Sequence, residues 1–326
     1  MRRPSGQTTD QARLADPVAT PAQGGPVDPA ASGVGSAPAV TMQGGRPHLV
    51  RLPFSGVACR LAMLAVLACL LVLCAVFAEQ LCPYDPYAQN LREALQAPSA
   101  EHLLGTDRYG RDMLSRVIVG GRSSIASTLV CVAVVAVVGT LVGMVAGWRG
   151  GALDSLLMRL SDVFLAFPGL VFALAVAGVL GGGIQNAVIA LCAIGWPKFA
   201  RIARSQTLAV REAPYIAASR MQGTRGAALI LRHVLPNIAG PVVVCAVLDI
   251  GTMMMELAGL SYLGLGAQPP MAEWGSMMSD GRSMLQTAPW CVLAPGLAIF
   301  VTVLVFNLLG DTLRDYLDPK EKGNAL

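Results

Sequence analysis

The chain has 326 residues, of which 24 are Lys or Arg and 20 are Asp or Glu; 13% are charged and 54% are hydrophobic. An ordinary soluble domain carries roughly 25% charge, and so few charged groups could hardly cover the surface of one or two soluble domains of this length. The composition argues against a soluble enzyme, a disordered protein and a nucleic-acid binder, and predicts an all-α polytopic membrane protein.

Residues 1 to 50 hold seven Pro and seven Gly with few large apolar side chains. Such a stretch cannot bury enough surface to offset the entropy of ordering, so residues 1–56 are expected to form a disordered tail. They are too long and too polar for a secretory signal peptide. The uncharged stretch Leu61 to Ala78 gives a first span. With an external segment after it, it makes up residues 57–122. Ser123 to Trp148 gives the second span and opens a membrane-embedded domain over 123–311. Gly139, Gly143 and Gly147 repeat along one face of it, a spacing that lets another helix approach closely. Val163 to Pro197 is uncharged over 35 residues, too long for one crossing of about 20. Gly181-Gly182-Gly183 divides it into two helices. Ile238 to about Ala267 is apolar except for Asp249 and Glu256. Ser283 to Gly310 is the last span, and 312–326 is a short tail. The total expected is six spans, all helical, because an open sheet edge cannot be satisfied in lipid.

The formal charge is only +4, so placement matters more than the sum. Arg2, Arg3, Arg13, Arg46 and Arg51 precede the first span. Lys198, Arg201, Arg204, Arg211, Arg220, Arg225 and Arg232 crowd segment 198–237 against the single acid Glu212. The positive-inside rule puts both termini and 198–237 in the cytoplasm. Segment 79–122 is then external, although it carries five Arg against six acids.

No C-x-x-C pair occurs among the eight cysteines, and seven of them fall in or beside apolar runs. They read as small packing residues rather than as a disulfide framework or zinc site. There is no H-E-x-x-H, no G-x-S-x-G and no Gly-Lys pair for a Walker loop. A protein of this kind that moves solute uphill must draw its energy from another subunit.

The basic segment reads Glu212-Ala213-Pro214-Tyr215-Ile216-Ala217-Ala218-Ser219-Arg220-Met221-Gln222-Gly223 and closes on His233-Val234-Leu235-Pro236. An Ala-rich helix ended by Gly223, then a second helix up to Pro236, suits docking into a partner's groove; the plain alternative is a solvated connector. Glu212 and Ala213, then Gly223 eleven residues after Glu212, then Leu235-Pro236, resemble the EAA loop of ABC importer permeases. Pro214 stands where that family commonly has Ala. Leu104-Gly105-Thr106-Asp107-Arg108-Tyr109-Gly110-Arg111-Asp112 with Ser115-Arg116 resembles the external segment of the C-type permeases of peptide and nickel importers. Asp162 to Pro168 resembles the start of their third helix. Ser261-Tyr262-Leu263-Gly264-Leu265-Gly266, followed by Glu273-Trp274-Gly275, resembles the end of their fifth. The resemblance spans about residues 57 to 319. Leu248 to Met254 and Phe306 to Asp315 look closer to the nickel branch, whose expected His at 252 and 256 are Thr252 and Glu256 here.

The resemblance implies a type I importer permease fold and a subunit that is not itself an enzyme. Glu212, Ala213, Gly223, Leu235 and Pro236 would couple it to an ATPase. It implies a B-type sister permease, two ATPase subunits that hold the ATP and Mg, an extracytoplasmic solute-binding protein, and a bacterial inner membrane as the setting. No cofactor is expected in this chain and no nucleic acid among its partners. Asp249 and Glu256, two turns apart, lie on one side of a span. A mid-bilayer carboxylate costs roughly 2.5–3.5 kcal/mol, so these acids either line a cation-attracting path or are satisfied by neighbouring helices. Met253 lies between them as a soft ligand or, more simply, as packing. Nickel or a metal complex is the favoured solute, a peptide is the alternative, and a non-transporting membrane scaffold is the reading from another class.

Overall fold

The computed structural model describes residues 54–224 and 226–317. The expected tail therefore lies outside the described residues, apart from Phe54 to Gly56, which already belong to the first helix. In chain order the helices are α1 (Phe54–Val76), α2 (Ala78–Leu81), α3 (Met113–Arg149), α4 (Gly151–Leu165), α5 (Gly169–Val179), α6 (Ile184–Arg211), α7 (Pro214–Met221), α8 (Ala227–Leu229), α9 (Leu235–Tyr262), α10 (Trp274–Gly281) and α11 (Trp290–Leu317). A π-helical turn, Ile230–Val234, joins α8 to α9. Among the described residues the only β pairing is an isolated bridge between Thr106 and Asp112.

Gly56–Val76, Met113–Arg149, Ala227–Tyr262 and Trp290–Leu317 are long and apolar enough to cross a membrane; α4 and α5, bent by 88° where they meet, qualify together as a fifth. The 28-residue α6 carries Lys198, Arg201, Arg204 and Arg211 in its second half and does not meet the same test. The glycine run does divide the chain as expected: Gly181, Gly182 and Gly183 all have positive φ, and they separate α5 from α6.

Four boundaries differ from expectation. The second span begins at Met113, ten residues before Ser123. Asp112 caps it by accepting a hydrogen bond from the Ser115 N–H at 2.8 Å, and the arginines in its first turns have partners. Arg116 donates to the Pro86 carbonyl at 3.2 Å, and Arg122 pairs with Glu79. The third helix is broken by Pro168, which caps the start of α5 and disfavours helix at the residue before it. The basic segment is not wholly a loop, because residues 198 to 211 continue α6. Paired charges make that continuation possible: Arg201 donates to Asp162, and Arg204 holds Asp154 through two bonds, one of them at 2.6 Å. Likewise α11 runs on to Leu317, into the expected tail.

The closest helix contact is between α3 and α6. A Cβ placed on Gly139 would stand 2.4 Å from the Trp196 carbonyl oxygen, on Gly143 2.2 Å from that of Ala200, and on Gly147 2.9 Å from that of Arg204. The glycine face of α3 is thus filled by the backbone of α6, with Ala200 and Ala203 fully buried against it. At the end of this seam Arg211 donates to the carbonyls of Gly147 at 3.2 Å and Trp148 at 3.1 Å, satisfying two of the last acceptors of α3. Toward the start of α3, Glu273 is buried and caps α10. Its carboxylate accepts from Ser124 Oγ at 3.0 Å, Gly275 N at 3.0 Å and Ser276 N at 2.9 Å. Gly275 brings α10 onto α9, since a Cβ there would lie 2.4 Å from the Ala258 oxygen.

A methyl group at Gly143 must push two backbones apart. Gly143→Ala is expected to destabilise the chain by about 1–3 kcal/mol. Gly178→Ala, where a Cβ meets nothing within 4 Å, is expected to be neutral or stabilising, as helix propensity favours Ala by up to about 1 kcal/mol. Thermal unfolding of both variants in one detergent checks this, and an equal loss in both would remove the seam from the account.

Candidate functional site

Two groups of candidate residues emerge, at the start and in the middle of α9. In the first, Glu212 caps the end of α6 and is exposed. Ala213 is extended and Pro214 opens α7, a position where its missing N–H goes unneeded. The helix ends at Gly223, whose φ of +92° L-residues rarely adopt. The Thr224 N–H returns to the Ser219 carbonyl at 3.1 Å, the six-to-one bond that closes a helix around a left-handed glycine. α7 buries Ile216 completely, and Ser219 is within 3.1 Å of His233 Nε2. Arg220 lies over the Trp148 ring at 5.0 Å. The opposite face is open: Tyr215 and Met221 are exposed, Met221 to 84%, and so is Leu231 beyond the turn. Leu235 and Pro236 form the first turn of α9 and are not in the exposed helix itself. The expected loop is therefore a short helix clamped to the ends of α3 and α9, with an apolar outer face.

In the second group Asp249 is 1% exposed. Its Oδ1 accepts from Lys198 Nζ of α6, and its Oδ2 has no hydrogen-bond partner among the described residues. Lys198, by sequence one of the cytoplasmic basic residues, is itself about half exposed, and its ammonium reaches in to the buried Asp249. The spacing of Lys198 from Asp249, 51 residues, left no local signal for the pairing. Glu256 is half-buried, two turns further along α9, with Oε1 facing the first residue of α5: a Cβ on Gly169 would be 3.5 Å from it. Among the described residues, therefore, one acid is paired and the other is not. Gly251 makes room for Asn307 of α11, since a Cβ there would lie 2.6 Å from Asn307 Oδ1. Met253 is buried, and its sulfur lies 3.8 Å from Cys131 Sγ, which is 3.6 Å from Cys192 Sγ. Gly195 admits the Met253 methyl, which would be 2.8 Å from a Cβ there. Met254 is buried as well, and Met255 is exposed.

Removing Lys198 strands a buried carboxylate. Lys198→Met is expected to destabilise by about 1–3 kcal/mol, the cost of an acceptor left without its partner, and Lys198→Met with Asp249→Leu is expected to recover most of it. A double-mutant cycle on thermal unfolding reads the coupling; additive losses would mean that the pair is not formed.

Residues 139–323 match the family described as "Binding-protein-dependent transport system inner membrane component". Residues 60–98 match the "N-terminal TM domain of oligopeptide transport permease C". A dipeptide transport system permease protein of Alkalihalophilus pseudofirmus is 44% identical over 77% of this chain and 83% of its own length. A glutathione transport system permease protein of Pectobacterium atrosepticum is 43% identical over 78% of this chain and 84% of its own. A nickel transport system permease protein of Escherichia coli is 40% identical over 80% and 93%. Among solved structures, an inward-facing form of the MetNI methionine ABC transporter shares the fold, with a TM-score of 0.52 over 63% of this chain and 98% of that one at 19% identity.

Proposed function

Because this chain belongs to the family of binding-protein-dependent transport system inner membrane components, we propose that it forms half of the solute path of an ATP-driven importer. A B-type sister permease supplies the other half. Two separate ATPase subunits hold ATP and Mg2+, and an extracytoplasmic protein delivers the solute. Both termini and α7 face the cytoplasm in this reading, as the basic residues around α7 favour. The observation that carries it is the apolar outer face of α7, with Tyr215 and Met221 exposed on a helix held at both ends. Such a face gains by docking into a groove. Its attachment to α3 through Arg220 on Trp148, with Arg211 of α6 just before it, and to α9 through the turn at Ile230–Val234, gives ATPase motion a direct route to the spans.

For the solute, Lys198 weighs most. Asp249 and Glu256 together would offer a divalent ion two negative charges, but Lys198 cancels one of them. The remaining single charge at Glu256 suits an ammonium group better, so a small peptide is the favoured solute. A nickel ion or complex is the second reading. It is supported by likeness to the E. coli nickel permease and by the acid pair on one helix face. Met253, held in a sulfur cluster, packs the path's wall.

Two measurements test this reading. Gly223→Pro, which removes both the left-handed turn and a donor, and Glu212→Arg are expected to abolish uptake while leaving membrane insertion intact. ATP turnover by the reconstituted ATPase subunits is then expected to stop responding to loaded binding protein; normal uptake by both variants would show that α7 is not the transmitting element. Deleting the gene is expected to collapse dipeptide uptake at limiting concentration and to spare nickel uptake. The reverse pattern would establish the nickel reading.

A further inference from the structure

At the far end of α9 from α7, a cavity of about 110 Å³ opens between residues 108–116, the end of α9 and α10; it is lined by Arg108, Arg111, Arg116, Ser261, Ser279 and Asp280 among others. This is well above the ~10–15 Å³ that one water needs. Its charges do not balance locally. Arg111 and Arg116 are 4% and 3% exposed, yet they share one carboxylate oxygen, Asp107 Oδ2, at 2.6 and 3.7 Å. The other oxygen of Asp107 is occupied by the N–H groups of Tyr109 at 2.8 Å and Arg111 at 3.0 Å. Arg108, the third guanidinium, reaches Asp280 at 3.3 Å. Arg108 and Arg111 both lie over the Tyr109 ring, each 4.7 Å from its centroid, so the ring holds both cations in place. The terminal nitrogens of Arg111 donate no hydrogen bond among the described residues. Ser261 Oγ, on a residue 1% exposed, likewise has no partner among them.

A buried hydroxyl without a partner, as at Ser261, is rare in native structures, and a planar guanidinium fork with open donors is matched by a carboxylate. We propose that this cavity is a carboxylate-binding site, with Arg111 and Ser261 as its donors, Arg108 as the cation at its rim and Asp280 as the internal competitor. The ligand is a small solute bearing a free carboxylate. In the orientation proposed above, on which only this clause rests, the site faces the side from which solute arrives. A solute's carboxylate would then be held about 40 Å along α9 from α7, before it meets Lys198 and Glu256.

The test uses the full chain in detergent and an arginine-selective reagent, phenylglyoxal, with labelling located by peptide mass spectrometry. Arg108, whose side chain is 41% exposed, is the reporter, and Arg122, 52% exposed and outside the cavity, is the control. Acetate or glycylglycine at tens of millimolar is expected to slow labelling of Arg108 at least threefold and to leave Arg122 unchanged. Glycinamide, which lacks the carboxylate, is expected to protect neither. Ser261→Ala removes one oxygen atom and is expected to cut the protection by half or more; Arg111→Lys, which keeps the charge but loses the fork, is expected to abolish it. Asp280→Asn is expected to deepen it. Equal protection by acetate and glycinamide, or full protection retained in both Ser261→Ala and Arg111→Lys, would overturn the proposal. Since the isolated chain is read, the outcome is independent of whether α7 couples to an ATPase.

Discussion

The contact on which the architecture depends is the seam between α3 and α6, where three glycines of one helix meet three backbone carbonyls of the other. In lipid there is no hydrophobic drive to bring helices together, and association depends on close packing and on polar contacts. Glycines at 139, 143 and 147 provide the first over two turns. The second comes from α4 and the end of α3. Asp154 and Asp162 hold Arg204 and Arg201 of α6, and Arg211 closes the seam on the carbonyls of Gly147 and Trp148. The basic residues thus fix α6 to its neighbours.

From that pair the rest of the core follows. Val135 of α3, Leu191 and Phe199 of α6 and Leu257 of α9 are buried together, which brings Lys198 within bonding distance of Asp249. Toward the start of α3, Ser124 meets the buried Glu273 carboxylate, and Trp274 donates to the Val117 carbonyl at 2.8 Å. α10 is therefore anchored by bonds to a capping acid and an indole rather than by its eight residues of helix, too short a stretch to be stable alone.

Much of this was legible in the sequence, and what was not has a physical cause. The glycine spacing of α3 gave its packing face, Gly181-Gly182-Gly183 gave a chain break, and Gly223 gave the end of α7, because each relies on a local property of glycine. Helix ends set by partners distant in the chain were not legible. Counting charges began the second span only after Arg122 and ended the fourth before Lys198, since an unpaired charge would stop a span. In the structure both helices run on, because Glu79 and Asp249 neutralise those residues. For the same reason the sequence left open whether Asp249 lines a path or is satisfied by a neighbouring helix. Pro168 was visible, but without the 88° bend it could equally be read as a helix start. The unbalanced arginines behind Tyr109 were visible only as members of a motif.

Arg211 ties the last turn of α6 to the last carbonyls of α3, and Glu212 begins the exposed loop at the very next residue. The loop consequently has no slack between it and the helix pair. Being locked along three glycines, α3 and α6 respond to force as one beam of about 40 Å, and a beam turns a small rotation at one end into a larger sweep at the other. A tilt of about 5° over that length carries the far end through about 3.5 Å, roughly the width of a side-chain contact.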